Sequence, residues 1–389
     1  MFIAVVGCCH GELDRVYETM AECENFVGRK VDLLLICGDF QAVRNEDDLE
    51  CLACPPKYRQ MNSFYKYYSG EKKAPVLTIV IGGNHEASNH MQELPFGGFL
   101  APNIYYLGYA GVINVGGLRI AGLSGIFDRR DYNKPHYESP PYNGGTMRSV
   151  YHVRREDVER LKKVREPVDI FLSHDWPTDI TKYGDLKTLL RKKSFLRDDI
   201  NSGKLGSPAL RDLLFQLKPK YFFSAHLHAK FPAIVQHEDQ SKTLFLALSK
   251  PLPGQDFMQV LDLSEAGIIV DRPIQVQRDL EWLTILKMDE EADPFKKNKI
   301  LSILGHDRLN VPAEAFEQTA RAYNPKLKRR GVMPSEIPEN RQTTSLVSAL
   351  GLDNFWLRRP QGPISDHKPQ ELASTGNNPE EIALDLDSN

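Results

Sequence analysis

Eight short apolar runs punctuate roughly the first 260 residues, at positions 2–6, 31–37, 75–81, 118–123, 168–172, 220–223, 243–248 and 257–263. They are nearly continuous in Val, Ile, Leu and Phe rather than alternating apolar with polar. Runs of this kind suit strands covered on both faces, as in layered α/β proteins. Polar stretches compatible with helices lie between them, at residues 13–28, 56–68, 154–164, 186–197 and 208–217. In the first of these Leu13, Val16, Tyr17 and Met20 recur at helical spacing. The pattern predicts an α/β chain with no internal repeat.

The ends of the apolar runs carry the chemistry. Residues 2–6 run into Gly7-Cys8-Cys9-His10-Gly11, and residues 31–37 into Gly38-Asp39. Three more runs lead to Gly83-Asn84-His85-Glu86, to Ser173-His174-Asp175 and to Ser224-Ala225-His226-Leu227-His228. In open α/β sheets the carboxyl ends of strands gather at one edge, so residues far apart in sequence can meet there. Singly, each histidine could be a hydrogen-bonded loop residue, and Asp39 could cap a helix. Together, Cys8, His10, Asp39, Asn84, His174, His226 and His228 offer more donors than one tetrahedral ion takes. Two divalent ions are the natural count, and Asp39, with two carboxylate oxygens, is the best bridge between them.

Six cysteines in a chain of 389 residues with no evident leader read as reduced thiols. Cys51 and Cys54 have zinc-ribbon spacing, but no second pair follows at the required distance. Cys9 is expected to point away from Cys8, into the core. No run of about 18 apolar residues is present, so no membrane association and a cytosolic or nuclear protein are expected. The net charge of -3 argues against attachment to nucleic acid by global charge, leaving local basic patches to be judged individually.

The five blocks, in this order, resemble the calcineurin-like metallophosphoesterase superfamily, whose pattern is D-x-H, G-D, G-N-H-[DE], H and G-H-x-H. Two positions depart from it, Cys8 for aspartate and Ala225 for glycine. The cysteine points to one branch: the chain resembles the RNA lariat debranching enzymes through residues 37–45, 67–76, 82–90, 101–108, 140–143, 148–154, 171–177 and 281–286. The resemblance implies a four-layer α/β metallophosphoesterase fold, two packed mixed β-sheets flanked by helices, with a smaller C-terminal domain. The boundaries expected are 1–263 for the catalytic domain, 264–355 for the C-terminal domain and 356–389 for a disordered acidic tail.

The resemblance also implies hydrolysis of the 2′,5′-phosphodiester at the branch of excised intron lariats, in the nucleus with possible shuttling to the cytoplasm. Branched RNA is the expected partner, and DNA is not. One metal pocket would use Cys8, His10, Asp39 and His228, and the other Asp39, Asn84, His174 and His226. His85 would act as general acid or as support for a ligand or phosphate. A thiolate is softer than a carboxylate, so Fe2+ and Zn2+ are the expected ions, with Mn2+ able to substitute. Cys8 could instead stay protonated, leaving its pocket weak.

Residues 124–158 form a long connection corresponding to the family's lariat recognition loop. It interleaves cations with aromatic side chains, the pairing that unpaired RNA needs for phosphate contact and base stacking. Tyr132, Tyr142, Arg148, Tyr151 and Arg154 are the expected contacts. A second basic stretch, 182–204, reads as a helix face. Two rival functions stand beside debranching: another metallophosphoesterase with a different substrate, and a non-catalytic RNA-binding scaffold on the same fold.

Overall fold

The computed structural model describes residues 1–264, 272–289, 291–327 and 329–352. The acidic tail expected at 356–389 lies outside the described residues. The strands are β1 (Phe2–Val6), β2 (Leu33–Ile36), β3 (Thr78–Val80), β4 (Gly98–Ala101), β5 (Ile104–Tyr106), β6 (Ala110–Val115) and β7 (Leu118–Leu123). They continue with β8 (Ile170–Ser173), β9 (Tyr221–Ser224), β10 (Phe231–Gln236), β11 (Lys242–Ala247), β12 (Met258–Asp262), β13 (Val276–Arg278) and β14 (Asn310–Val311). Two mixed sheets result, in the orders β12-β1-β2-β3-β5-β4 and β10-β11-β9-β8-β7-β6-β13-β14.

One core lies between the sheets and a second lies under the helices, because successive side chains of a strand leave it on opposite faces. Ile3 and Val5 of β1 join Leu33, Ile79, Ile120 and Phe223 in the first core. Ala4 and Val6 join Leu13, Val16 and Met20 of the helix Leu13–Val27 in the second. The alternation carries on past the strand end, with Cys8 in the first core and Cys9 in the second. Both faces of the central strands are therefore covered, which is why their sequences lack alternation.

The parallel pairs β1/β2, β2/β3, β7/β8 and β8/β9 give neighbouring strands a common direction. Their carboxyl ends consequently open onto shared edges. Strand β10 was not anticipated, since its pattern is buried and exposed in turn, and it pairs antiparallel with β11 at the sheet edge. Beyond residue 263, β13 pairs with β6 and β14 with β13, so this segment extends the second sheet. The helix expected over residues 56–68 is interrupted. A 3-10 turn, Pro56–Tyr58, and an α-helix, Phe64–Tyr68, flank a segment in which Asn62 has φ +44° and gives its side-chain N–H to the His10 carbonyl at 2.8 Å. A helix through Asn62 would forfeit that contact. The helix expected over 186–197 likewise stops at Lys192, with a 3-10 turn, Ser194–Leu196, behind it.

Candidate metal centre

Five strand ends deliver the expected donors to one place. Cys8 and His10 follow β1, Asp39 follows β2, Asn84 and His85 follow β3, His174 follows β8, and His226 and His228 follow β9. His10, Asp39, His226 and His228 all have positive φ, between 45° and 62°. Non-glycine residues rarely occupy that region, and those that do cluster where a site imposes its own geometry. Close glycines make room for the turns: a Cβ on Gly83 would lie 2.3 Å from Asp39 Oδ1, and one on Gly38 would lie 2.5 Å from His174 Nδ1.

Asp39 stands at the centre. Its Oδ1 is 3.2 Å from His174 Nε2 and its Oδ2 is 3.6 Å from His10 Nε2, so the two oxygens face different histidines. On the Oδ1 side, Asn84 Oδ1 lies 3.1 Å from His174 Nε2, and the His226 ring is 5.0 Å from the His174 ring between centroids. On the Oδ2 side, His10 Nε2 and His228 Nε2 are 3.1 Å apart, and donor atoms of Cys8, His10, Asp39 and His228 all lie within 4.8 Å of one another. His174 Nδ1 faces the Cys37 carbonyl at 2.8 Å, which leaves Nε2 directed at the centre.

Burial governs the charges. It drives the imidazoles of His10 and His226 down to about 3 and that of His228 well below its ordinary value, so all three present neutral lone pairs at physiological pH. Burial alone would raise the Asp39 carboxyl, but the imidazoles of His174, His85 and His10 overcome it and hold the group well below the usual carboxylate range. His174 moves the other way: burial lowers it, and the facing Asp39 carboxylate more than reverses that. Burial, followed by the Asp39 charge, pushes the Cys8 thiol well up, opposed by the His226 amide N–H at 3.2 Å and the Lys250 ammonium.

These residues fit a pair of divalent cations. Two neutral imidazole nitrogens that face each other at 3.1 Å can share at most one proton, and His228 Nδ1 is buried with no hydrogen-bond partner among the described residues. A cation between them satisfies both lone pairs, and its charge is the counterweight that a fully buried thiol needs to ionise. A change at Gly83 tests this architecture. Gly83→Ala is expected to displace Asp39 and weaken divalent-metal affinity by about 10- to 100-fold, the range seen when groups holding metal ligands are disturbed. Calorimetric titration of the metal-stripped variant with Zn2+ reads this directly, and wild-type affinity would show that the Asp39 carboxylate tolerates the shift.

Glu86 holds the loops around the centre. Burial, with the nearby Asp39 charge, raises it to about 8, and its carboxylate accepts from the amides of Phe40, Gln41 and Gly83 at 2.7, 2.8 and 2.9 Å. His85 is half-buried, gives its backbone N–H to Asp39 Oδ1 at 2.8 Å, and sets its ring 5.6 Å from that of His10. A surface cavity of about 820 Å³ lies by Trp282, Leu283 and Leu346 and includes none of the seven donors. Donor chemistry, not volume, marks the centre.

The calcineurin-like phosphoesterase family matches residues 1–230, and the lariat debranching enzyme C-terminal domain matches residues 240–302. The human lariat debranching enzyme is 49% identical over 397 residues, covering 94% of this chain and 72% of the human protein. The zebrafish (Danio rerio) enzyme is 50% identical, with 92% of this chain and 67% of the relative covered. The Arabidopsis thaliana enzyme is also 50% identical, with 90% and 86% covered. The chain belongs to the lariat debranching enzyme family. The α/β fold expected from the resemblance, two packed mixed sheets with a smaller C-terminal domain, is thereby established for this family member.

The loop expected to meet the family's substrate needs correction at three positions. Arg154 is fully buried, ion-paired with Glu138 and donating to the carbonyls of Asp131 and Ser149 at 2.9 Å. Tyr142 is buried with its hydroxyl on Gln92, and Tyr151 packs with Cys51, Ile126 and Val150. Arg154 lies inside the loop, while Tyr142 and Tyr151 pack against Gln92 and Cys51 outside it, so none of the three is presented to solvent. Arg148 is exposed, and Tyr132 is half-buried against Phe127 at 5.2 Å. The pairs Asp131–His152 and His136–Asp157, each at 2.7 Å, close the loop further. The stretch is thus folded, with charged pairs closed within it and its buried tyrosines packed against neighbouring segments. No helix among the described residues is long and apolar enough to cross a membrane.

Proposed function

We propose that this chain hydrolyses the 2′,5′-phosphodiester at the branch nucleotide of excised intron lariats, converting them to linear RNA. The observation that carries this reading is the coincidence of the Cys8-containing donor set with near-50% identity to lariat debranching enzymes over at least 90% of the chain. When bound, two divalent cations supply Lewis acidity, bringing the pKa of water toward about 7 and neutralising charge that develops on the phosphate. Cys8, His10, Asp39 and His228 would hold one, and Asp39, Asn84, His174 and His226 would hold the other, with Asp39 common to both sets. His85, beside the ligand Asn84 and open to solvent on one side, delivers a proton to the departing 2′-oxygen. Gln41 Nε2 lies beside the His10 imidazole, 3.3 Å from its Nδ1.

Sulfur at Cys8 favours Fe2+ and Zn2+ over harder ions, with Mn2+ able to replace them. Intron lariats are products of splicing, so the enzyme works in the nucleus. Arg148 and Tyr132 are the RNA contacts that remain on the recognition loop once the buried residues are set aside.

A single experiment tests the substrate and the metal together: metal analysis of the purified protein, followed by cleavage of a 2′,5′-branched RNA and its linear 3′,5′ counterpart. Release of linear RNA from the branched substrate alone is expected. Equal cleavage of both, or none with metals loaded, would remove debranching from consideration. Cys8→Asp is expected to shift the ion that best supports turnover from Fe2+ or Zn2+ toward Mn2+. An unchanged metal profile in reconstitution assays would show that the thiol is not a ligand.

A further inference from the structure

We infer that the loop between Cys51 and Asn62 forms a wall of the RNA cleft beside the recognition loop, with Tyr58 as a stacking platform for an unpaired base and Lys57 as its phosphate contact. This rests on the debranching reading and adds to it a nucleotide subsite. The loop is tied to the metal loops at one end, where Asn62 Nδ2 donates to the His10 carbonyl at 2.8 Å and Ser63 N–H to the Gly11 carbonyl at 3.1 Å. At the other end Cys51 packs into the cluster that holds Tyr142 and Tyr151 of the recognition loop. Tyr58 lies four positions before Asn62, so their Cα atoms lie within about 14 Å of each other. Tyr58 is therefore within reach of a short branched RNA seated at the centre.

The presentation of Tyr58 is rigid. Pro55 and Pro56 lead into the 3-10 turn Pro56–Tyr58, with the Tyr58 amide on the Pro55 carbonyl at 2.9 Å. Arg59 locks the turn, pairing with Glu50 at 2.8 Å and donating to the Cys54 carbonyl at 3.2 Å. Tyr58 is nevertheless 36% exposed, and one face of its ring carries the Lys57 ammonium 4.6 Å from the centroid. A preorganised aromatic that the fold does not bury, with a cation beside it, is what base stacking with phosphate neutralisation requires. Every base offers a π-face, so the subsite is sequence-tolerant.

The test uses the full chain and branched RNAs carrying several nucleotides in each arm. Tyr58→Ala is expected to raise KM by about 5- to 100-fold, the range for loss of one stacked base, with kcat nearly unchanged. Tyr58→Trp is expected to restore KM, because the ring and not the hydroxyl makes the contact. Fluorescence titration of Tyr58→Trp with a non-hydrolysable branched RNA should show quenching beyond that of the wild type, and this reading does not need turnover. Equal KM for Tyr58→Ala and wild type, equal impairment by alanine and tryptophan, or absent extra quenching at saturation would each overturn the subsite. Failure of the wild type to linearise branched RNA would instead count against debranching itself.

Discussion

Replacing His85 by alanine is expected to lower kcat on a 2′,5′-branched RNA by about 10²- to 10⁴-fold, the usual contribution of a positioned general acid. Metal content is expected to persist, because the hydrogen bond that His85 gives to Asp39 Oδ1 comes from its backbone N–H, at 2.8 Å, and survives the substitution. Elemental analysis and single-turnover kinetics separate these effects. Leaving-group dependence sharpens the test: an aryl phosphodiester, whose oxygen departs without protonation, should narrow the gap between His85→Ala and wild type. Near-normal turnover on RNA would remove His85 from the mechanism. Loss of metal along with turnover would assign it to ligand support instead.

Arg154→Ala is expected to lower stability by about 3–5 kcal/mol, the range for breaking one partner out of a buried ion pair. Arg154 and Glu138 are both fully buried, and removal of the guanidinium leaves the Glu138 carboxylate with the Ser149 hydroxyl as its remaining side-chain partner. The donations to Asp131 and Ser149 are lost with it. Denaturant unfolding and limited proteolysis of residues 124–158 measure the effect. Lysine should not rescue, since it lacks the planar fork that serves a carboxylate and two carbonyls at once. Weakened RNA binding at unaltered stability would restore Arg154 to the role of a substrate contact.

These two residues mark how far the sequence could be read. His85 sits in a block whose neighbours are chemically distinctive, and the block ends an apolar run that becomes β3. Arg154 sits in a stretch rich in arginine and tyrosine, where composition suggests RNA. The same composition also builds a compact loop with Glu138, Asp131 and Ser149 inside it. A residue type does not state which way its side chain points when no periodic element fixes the direction. Cys51 and Cys54 offered a sulfur pair and little else in the sequence. Their loop gains meaning only because Asn62 is bonded to His10 and Cys51 touches the recognition loop. The expected helix over residues 56–68 failed for the same reason, a tertiary contact that local propensity does not see.

The sequence by itself determined the layered α/β class, the order of the five donor blocks, the thiol that replaces a carboxylate at Cys8, and the choice of Asp39 as the central carboxylate. Those are local properties: an apolar run makes a buried strand, and the residues after it must lie at the strand's end. Only the tertiary structure decided that the ends of β1, β2 and β3 in one sheet meet those of β8 and β9 in the other, so that Asp39 faces His174 with one oxygen and His10 with the other. It also decided which cations and aromatic rings turn inward. Both depend on packing between segments far apart in the chain, where burial energy and hydrogen-bond satisfaction are settled jointly and no single segment carries the information.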